Sequence, residues 1–355
     1  MTKLTKLSKA ISRAAVLTGA VTLAAPALSA DRLLLKTPVA FSTSLPALGT
    51  TITWVSERLG EISDGNVKMK LYEPNKLVSP FEILDAVSTG KVNSGYALPI
   101  YWQGKIPAAP LFSAVPFGPE APEYMAWLYR GNGLDLYQEM YDTHGYNVKV
   151  IPCAIVSPET SGWFSKPINT PQDLEGLNIR FAGLGGAVLE KLGANALQIP
   201  GGEIFGALEK GAIDATEFSQ PAIDELLGFR KIAKYNYFPG WHQQATVFEL
   251  LVNKDTWNDM SKSHQSMIET TCMASMTNSV AEGEAMQFPV MEKAKENGVE
   301  IRYWNDEMLT AFRNSWEEVV AEEQAKDPFF KKVWEDMSEF RKGYELWEDN
   351  GFLPR

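Results

Sequence analysis

Arg180 has the sequence context of a carboxylate-binding residue. It stands at the end of a predicted strand, 177–183, and a glycine-rich turn follows it directly. A guanidinium group can hold a carboxylate through two parallel hydrogen bonds, and side chains at strand ends face ligand clefts in open α/β sheets. By its position alone, Arg180 fits this role and a structural salt bridge equally well.

Two acidic residues also stand beside predicted strands. Glu217 lies near the end of the predicted strand 213–218, and Glu159 lies in the loop before the strand around Trp163. Carboxylates that face a cleft could hold a hard cation through their oxygens. The chain has 44 acidic residues, most of which we expect to be solvated, so position alone leaves both interpretations open.

Aromatic residues are frequent around the same predicted strand ends. They are Phe41, Tyr101, Trp102, Phe218, Phe238 and Trp241. Aromatic walls with a few convergent polar groups are typical of pockets for small ligands. The alternative is core packing, which we expect to explain several of these residues.

Several kinds of catalytic site are missing from the sequence. His144, His242 and His264 lack the spacing of a His/Cys zinc site, and neither a GxSxG elbow nor a Walker loop is present. Residues 183–188 resemble a dinucleotide-binding loop, but Val188 occupies the place of the third glycine. A tight strand-to-helix turn explains these glycines without a cofactor.

The predicted elements that position these side chains alternate between strands and helices. Strands are predicted at 32–40, 67–71, 92–98, 148–155, 161–165, 177–183 and 213–218. Helices are predicted at 45–62, 80–90, 186–193, 203–211, 256–297 and 306–347. This order predicts an α/β protein with largely parallel sheets. Two such lobes joined by crossing strands would enclose a ligand cleft.

The N-terminus has the pattern of a cleavable secretory signal. Four basic residues and no acidic residue occupy 3–13, an apolar stretch follows at 14–25, and small residues precede Asp31. The apolar stretch is shorter than the roughly 20 residues that span a bilayer. We therefore expect export to the periplasm, with cleavage near residue 30.

Composition narrows the class of partner. Removal of 1–30 would change the net charge from −11 to −15, because that segment holds four basic residues and no acidic ones. Such an acidic chain argues against nucleic acid as a partner, whereas a pocket with its own local field can still take an anion. For Cys153 and Cys272 we expect two buried thiols in preference to a disulfide.

Sequence runs along most of the chain resemble the periplasmic solute-binding proteins of tripartite ATP-independent periplasmic (TRAP) transporters. Among them are PFEILDAVSTG at 80–90, LEGLNIRFAGLGGAVLEKLG at 174–193, GGEIFGALEKGAIDATEF at 201–218 and LLVNKDTW at 250–257. The runs are most similar to the subgroup that binds 2-oxo acids, lactate and related monocarboxylates.

The resemblance implies a two-lobed periplasmic binding protein, a Venus-flytrap fold, with a long interlobe helix. We expect lobe 1 at 31–155 plus about 245–285, and lobe 2 at 156–244 plus about 286–310. A helical extension at 311–355 carries spaced aromatic residues. Relatives pair through this extension, which predicts a homodimer.

The resemblance also implies roles for single residues. Arg180 matches the arginine that pairs with the ligand carboxylate, and Glu217 with the main chain at Phe218 matches the pair that holds a metal ion. Sodium or calcium is the expected ion. The expected ligand contacts are Arg180, Tyr101, Trp102, Glu159, Phe218, Trp241 and Phe41. The expected metal contacts are Glu217, Phe218, Glu159 and Gln243.

This chain departs from those relatives in two places. They usually carry Gln where it has Glu159, and Trp-Glu-Gly where it has His242-Gln243-Gln244. Two neighbouring carboxylates, Glu159 and Glu217, need a cation between them or a cationic group on the ligand. Calcium, or a ligand with an ammonium group, therefore fits this sequence as well as sodium does.

The sequence thus predicts a receptor, and not an enzyme, that captures a small organic acid and delivers it to the TRAP permease subunits in the membrane. Two alternatives remain at this point. A periplasmic lyase or hydrolase could act on a carboxylate, although the sequence has no recognisable pair of base and nucleophile. A sensor subunit could bind the same ligand and present it to a signalling partner.

Overall fold

The computed structural model describes residues 32–353. The predicted signal segment and its cleavage site near residue 30 lie outside the described residues. Within 32–353, no helix combines the length and the apolar character that crossing a membrane requires.

One lobe is built on the strands from the N-terminal part of the chain. These strands are β1 (Leu33–Pro38), β2 (Val67–Tyr72), β3 (Ser94–Ala97), β4 (Val148–Val156) and β10 (Thr246–Asn253). β1 pairs with β2, and a bridge between Val39 and Tyr96 connects this pair to the sheet β3-β10-β4. We call these strands and the helices around them the first lobe. Its helices are α1 (Gly49–Ile62), α2 (Ile83–Ser88), α3 (Ala121–Arg130), α4 (Gly133–Thr143) and α8 (Lys254–Asp259).

A second sheet has six strands in the order β11-β9-β5-β8-β6-β7. They are β5 (Gly162–Phe164), β6 (Asn178–Arg180), β7 (Asn195–Leu197), β8 (Ala215–Thr216), β9 (Tyr235–Phe238) and β11 (Glu300–Tyr303). Together with the helices beside them they form what we call the second lobe. These helices are α5 (Gly183–Lys191), α6 (Gly201–Glu209) and α7 (Pro221–Leu227). The exact lobe boundaries expected from the sequence stay a prediction.

The expectation of largely parallel sheets is wrong. β10 runs antiparallel to both β3 and β4, and β5 runs antiparallel to both β8 and β9. The chain leaves the first lobe after β4 and returns along β10, so these neighbouring strands have opposite directions. Strand–helix–strand order predicts parallel pairing only where the helix connects strands of one sheet.

Three long helices complete the chain: α9 (Lys262–Lys293), α10 (Asp306–Lys326) and α11 (Pro328–Gly351). Each of the two long helical segments predicted from the sequence is divided. Ser261 caps α9 by accepting a hydrogen bond from the main-chain N–H of His264, which separates α9 from α8. Asp327 caps α11, and Pro328, which lacks an N–H, occupies its first position.

Cys153 in β4 and Cys272 in α9 form a disulfide, so the expectation of two thiols is wrong. Their Cα atoms are 4.2 Å apart although 119 positions separate them in the sequence. β4 packs directly against α9, which brings the two buried cysteines within bonding distance. The disulfide ties the long helix to the first lobe.

Candidate functional site

A narrow cavity lies between the two lobes. The first lobe contributes mainly apolar side chains to its wall, and the second lobe contributes the charged ones. Its lining consists of Phe41, Leu48, Leu98, Ile100, Tyr101, Glu159, Arg180, Ala182, Glu217, Phe218, Ser219, Gln243, Thr246 and Phe248. Most residues that the sequence singles out as ligand or metal contacts therefore meet at one place.

Strand pairing explains why Arg180 and Glu217 lie together. Arg180 ends β6, and Glu217 follows directly after β8, which is the parallel neighbour of β6. Because parallel strands have their carboxyl ends at the same edge of a sheet, the two side chains project from adjacent positions.

Arg180 is buried and makes a salt bridge within the site. Its Nη1 donates to Glu217 Oε1 at 2.6 Å and to the Glu217 main-chain oxygen at 2.8 Å, while Nε donates to the Ile199 carbonyl at 3.1 Å. Nη2 donates to none of the described residues. The guanidinium group is thus fixed by protein contacts through Nε and Nη1.

Glu217 is held from two directions. The main-chain N–H of Ala182 donates to Oε1 at 2.7 Å, in addition to the bond from Arg180. Burial raises the pKa of Glu217, against the opposing effect of the Arg180 charge. Its other oxygen, Oε2, lies 3.9 Å from Nε2 of His242.

Glu159 and Gln243 form a second polar contact in the cavity. Gln243 Nε2 donates to Glu159 Oε2, and the Glu159 main-chain N–H donates to the Gln243 carbonyl at 3.4 Å. Burial raises the pKa of Glu159 well above its usual value, and the charge of Glu217 raises it further. Gly240 permits this close approach, because a Cβ there would lie 2.3 Å from the Glu159 carbonyl oxygen.

This contact changes the interpretation of one sequence departure. The resemblance noted from the sequence implies Gln at the position of Glu159 and Glu at the position of Gln243. Since the two side chains touch each other here, the acid and the amide have exchanged places across one contact. With this exchange, Glu159 and Glu217 are the two carboxylates of the site, and their number is the same as the resemblance implies.

His242 is a site residue whose role sequence reasoning missed. It is 2% exposed, and both of its ring nitrogens lack a hydrogen-bond partner within residues 32–353. Burial, followed by the charge of Arg180, lowers the pKa of His242 to about 3. The imidazole is therefore neutral, so its contact with Glu217 Oε2 is neither an ion pair nor a hydrogen bond.

Glu159, Glu217 and His242 form what we call the histidine–carboxylate cluster. Each offers one ligand atom, and these atoms lie within 4.8 Å of one another. The three residues come from three separate loops, so a search for closely spaced histidines could not find them. The only signal in the sequence is the imidazole at 242, where the resemblance predicts an aromatic ring. Two buried carboxylates beside an imidazole without hydrogen bonds fit the chemistry of a cation site.

Hydroxyl groups in the cavity wall also lack partners. Within the described part of the chain, the side-chain hydroxyls of Tyr101, Ser219 and Thr246 are buried without a hydrogen bond. Burial raises the pKa of Tyr101 to about 12, so its hydroxyl stays protonated and can donate. Because a buried polar group without a partner is costly, these hydroxyls favour a polar ligand between them.

Two predicted ligand contacts lie outside this cavity. Trp102 is fully buried in the first lobe, and its Nε1 donates to Glu249 Oε1 at 2.7 Å. Trp241 stacks on Phe312 of α10 with ring centroids 4.4 Å apart. Both residues belong to the apolar core around the site, which is the alternative that the aromatic pattern left open.

The Glu249 carboxylate accepts hydrogen bonds from two further residues besides Trp102. The Tyr137 hydroxyl donates to Oε2 at 2.6 Å, and the Tyr141 hydroxyl lies 2.8 Å from each oxygen. Burial raises the pKa of Glu249 to about 7, although these three hydrogen bonds lower it. This group is a closed network inside the first lobe.

Comparison with known proteins places the chain in a family. Residues 43–327 match the family described as bacterial extracellular solute-binding protein, family 7 (DctP). A monocarboxylate 2-oxoacid-binding periplasmic protein of Nostoc sp. is 35% identical over 309 residues, which cover 86% of this chain and 84% of the relative.

Solved structures agree with this match. A TRAP transporter solute-binding protein of Bordetella bronchiseptica, a mixed-occupancy dimer with copurified calcium and picolinate, is 30% identical. It has a TM-score of 0.87 and covers 89% of this chain and 94% of its own. A TRAP periplasmic solute-binding protein of Pseudoalteromonas atlantica with bound sodium and pyruvate is also 30% identical. Its TM-score is 0.85, with 89% and 96% covered.

These matches confirm the two-lobed α/β fold and the class of protein predicted from the sequence. The matched range, residues 43–327, spans the histidine–carboxylate cluster and Arg180. The chain belongs to the DctP family of bacterial extracellular solute-binding proteins.

Proposed function

We propose that this protein is the periplasmic receptor of a TRAP transporter for a small monocarboxylate of the 2-oxo acid type, which it binds together with a cation. The observation that carries the proposal is the buried Arg180, whose Nη2 is directed to no described residue while Nη1 is held by Glu217. A guanidinium group fixed in this way is ready for a carboxylate without further ordering.

The relatives indicate what kind of acid to expect. Picolinate in the Bordetella protein and pyruvate in the Pseudoalteromonas protein are monocarboxylates with a second donor atom next to the carboxylate. Such a ligand can offer one oxygen to Arg180 and the adjacent donor atom to a cation. The hydroxyls of Tyr101, Ser219 and Thr246 would donate to its remaining oxygens.

The cation would be held by residues of the second lobe and its connecting loops. Glu217, the main-chain oxygen of Phe218, Glu159 and Gln243 are the predicted contacts, and sodium or calcium is the ion in the relatives described above. When bound, the cation would compensate the buried carboxylates and attract the ligand oxygens. Arg180 and Glu217 keep each other oriented without it.

Capture and release would follow from movement of the lobes. The cavity wall is divided between them, with Phe41 and Tyr101 on one side and Arg180 and Glu217 on the other. Closure by hinge motion excludes water, which strengthens the attraction between the guanidinium group and the carboxylate. Micromolar affinity requires only about −8 kcal/mol in total.

Export and assembly are part of the same proposal. The signal pattern at 1–30 supports delivery to the periplasm, where the permease subunits could be reached. The end of α11 supports pairing of two receptors, because Leu346 and Trp347 there are 71% and 59% exposed. We propose that this surface forms a homodimer contact through the helical extension.

A screen of organic acids by thermal unfolding tests the proposal. We expect 2-oxo monocarboxylates to raise the melting temperature, and a chelator to reduce that shift. If only acids that carry an ammonium group stabilise the protein, the two carboxylates bind that group and the assignment to 2-oxo acids is wrong. Chemical turnover of a stabilising acid would overturn the receptor assignment in favour of an enzyme.

A further inference from the structure

We propose that His242 is itself a ligand of the cation and that the histidine–carboxylate cluster selects a divalent first-row transition ion over sodium and calcium. This inference rests on the proposed function, in which a cation accompanies the carboxylate. It adds the identity of the ion class and a ligand that the comparisons do not assign.

The first argument is geometric. Nε2 of His242 lies 3.9 Å from Glu217 Oε2, and the ligand atoms of the whole cluster lie within 4.8 Å. An ion bound at about 2.0–2.2 Å from each of two ligands keeps them roughly 3–4 Å apart. Small rotations of Glu159 would therefore bring all three atoms into one coordination shell.

The second argument is the missing hydrogen bonds of a buried imidazole. Both nitrogens of His242 are buried and pair with no residue in 32–353, which is costly for a polar group. His144, by comparison, has Nδ1 at 2.8 Å from the Met140 carbonyl. A metal bond to Nε2 would remove much of that cost.

The third argument is charge balance. When ionised, Glu159 and Glu217 carry two negative charges, and Arg180 carries one positive charge. A divalent ion together with a monocarboxylate ligand brings the sum to zero. With a monovalent ion and the same ligand, one negative charge would remain uncompensated in a buried site, which is unfavourable.

The fourth argument is ligand preference. Sodium and calcium bind through oxygen ligands, whereas imidazole suits zinc, copper, nickel and iron. A shell of two carboxylates and one imidazole is open to a further ligand from the organic acid. The imidazole therefore favours a transition ion at a site that would otherwise consist of oxygen atoms and the Gln243 amide.

Isothermal titration of the chelator-treated protein with each metal alone tests this inference. We expect Zn²⁺ to bind at least tenfold more tightly than Ca²⁺. His242→Gln should weaken Zn²⁺ binding at least tenfold, since loss of even an outer-shell partner of a metal ligand typically costs about 10–100-fold in affinity, and change Ca²⁺ binding less than threefold. His264→Gln, which alters a histidine far from the cluster in sequence, should change neither.

A second measurement does not depend on the folding of the His242 variant. In protein with both His144 and His264 replaced by Gln, pulsed electron paramagnetic resonance of bound Cu²⁺ should show coupling to an imidazole nitrogen. Absence of that coupling, or an unchanged ratio of Zn²⁺ to Ca²⁺ affinity in His242→Gln, would overturn the inference.

The outcomes separate this inference from the proposed function. If pyruvate binds in the presence of Ca²⁺ while the protein shows no preference for Zn²⁺, His242 is not a selective metal ligand and the receptor function stands. If no organic acid binds in the presence of any of these ions, the proposed receptor function is wrong, whichever metal the protein prefers.

Discussion

Two clusters around buried carboxylates in this protein differ in whether their polar groups have hydrogen-bond partners. In the first lobe, Glu249 accepts hydrogen bonds from Trp102, Tyr137 and Tyr141, so every polar group of that network has a partner. Between the lobes, the histidine–carboxylate cluster contains an imidazole with no hydrogen bond in the described chain. Both clusters contain a buried acid, and they differ in the buried groups that lack a partner, which only the cluster with the proposed binding role contains.

The difference has a physical basis in where the two clusters lie. Glu249 is on β10, the central strand of the first-lobe sheet, and its three donors come from the same lobe. The histidine–carboxylate cluster is on loops at the strand ends of the second lobe, beside the cavity. A polar network that is complete within one lobe stabilises that lobe, whereas buried polar groups without partners are costly.

The sharpest test of this comparison is Arg180→Ala. It removes the proposed ligand contact and leaves the buried Glu217 carboxylate without the guanidinium group. Breaking a buried ion pair in this way lowers the free energy of unfolding by about 3–5 kcal/mol. We expect binding of a stabilising acid to weaken at least a hundredfold by calorimetry. Arg230→Ala, at a partly exposed salt bridge with Glu225, is the matched control and should bind normally; equal losses in both variants would remove Arg180 from the site.

Glu249→Ala tests the other side of the comparison. It leaves three buried donors without an acceptor, so we expect the free energy of unfolding at pH 6 to fall by about 2–4 kcal/mol. Ligand affinity should change less than threefold. Urea unfolding and calorimetry measure the two quantities, and a large loss of affinity with intact stability would show that the network belongs to the binding site.

Glu159→Gln should have a smaller effect on binding. It leaves Glu217 as the single carboxylate of the cluster, and we expect the affinity for a divalent ion to fall about tenfold, or about 1.4 kcal/mol. Sodium-dependent stabilisation should persist. Ion titrations followed by thermal unfolding measure this change, and Glu225→Gln is the control. An unaltered affinity for divalent ions relative to sodium would place Glu159 outside the metal site.

The pH dependence of the free energy of unfolding tests the charge state of Glu249 in the first-lobe network. Burial raises the pKa of Glu249 in the folded protein to about 7, above about 4.3 in an unfolded chain. The folded state then binds more protons between these values, so its contribution to stability is complete below about pH 4.3 and is lost as the pH rises through 7.

The comparison that isolates this contribution is between wild type and Glu249→Gln. The free energy of unfolding of the wild type should fall more steeply from pH 4.5 to 7, by up to about 1 kcal/mol per pH unit. Parallel curves for wild type and Glu249→Gln would mean that Glu249 does not titrate between pH 4.5 and 7, which would contradict the raised pKa.

Sequence reasoning succeeded where the signal was local. Arg180 and Glu217 were singled out because each stands at the end of a predicted strand, and the structure brings them together. Their binding roles, which the resemblance implies, stay predictions. Most strands and helices were likewise predicted from local patterns. The predicted helices 256–297 and 306–347 are each divided at a capping residue, near Ser261 and Pro328. A periodic hydrophobic pattern does not reveal such single-residue caps.

Contacts between distant parts of the chain could not be predicted from periodicity, and only the resemblance placed Glu159 and Gln243 in one site. Glu159 and Gln243 touch across 84 positions, and the disulfided cysteines are 119 apart. Such contacts depend on how lobes and helices pack, which periodicity does not encode. Trp102 illustrates the same limit, since its sequence neighbourhood resembles a ligand wall while its nitrogen is used by Glu249 in the core.

The attachment of α9 has a consequence for how an empty and a loaded receptor would differ from outside. Its N-terminal half is tied to β4 by the disulfide, and further along Gly283 approaches the side chain of Gln220 next to α7. If the lobes move about this close contact, α9 keeps its orientation relative to the first lobe, and the second lobe rotates relative to α9. A membrane partner that binds both α9 and the second lobe would then distinguish the empty from the loaded receptor by the angle between them, without contacting the bound acid.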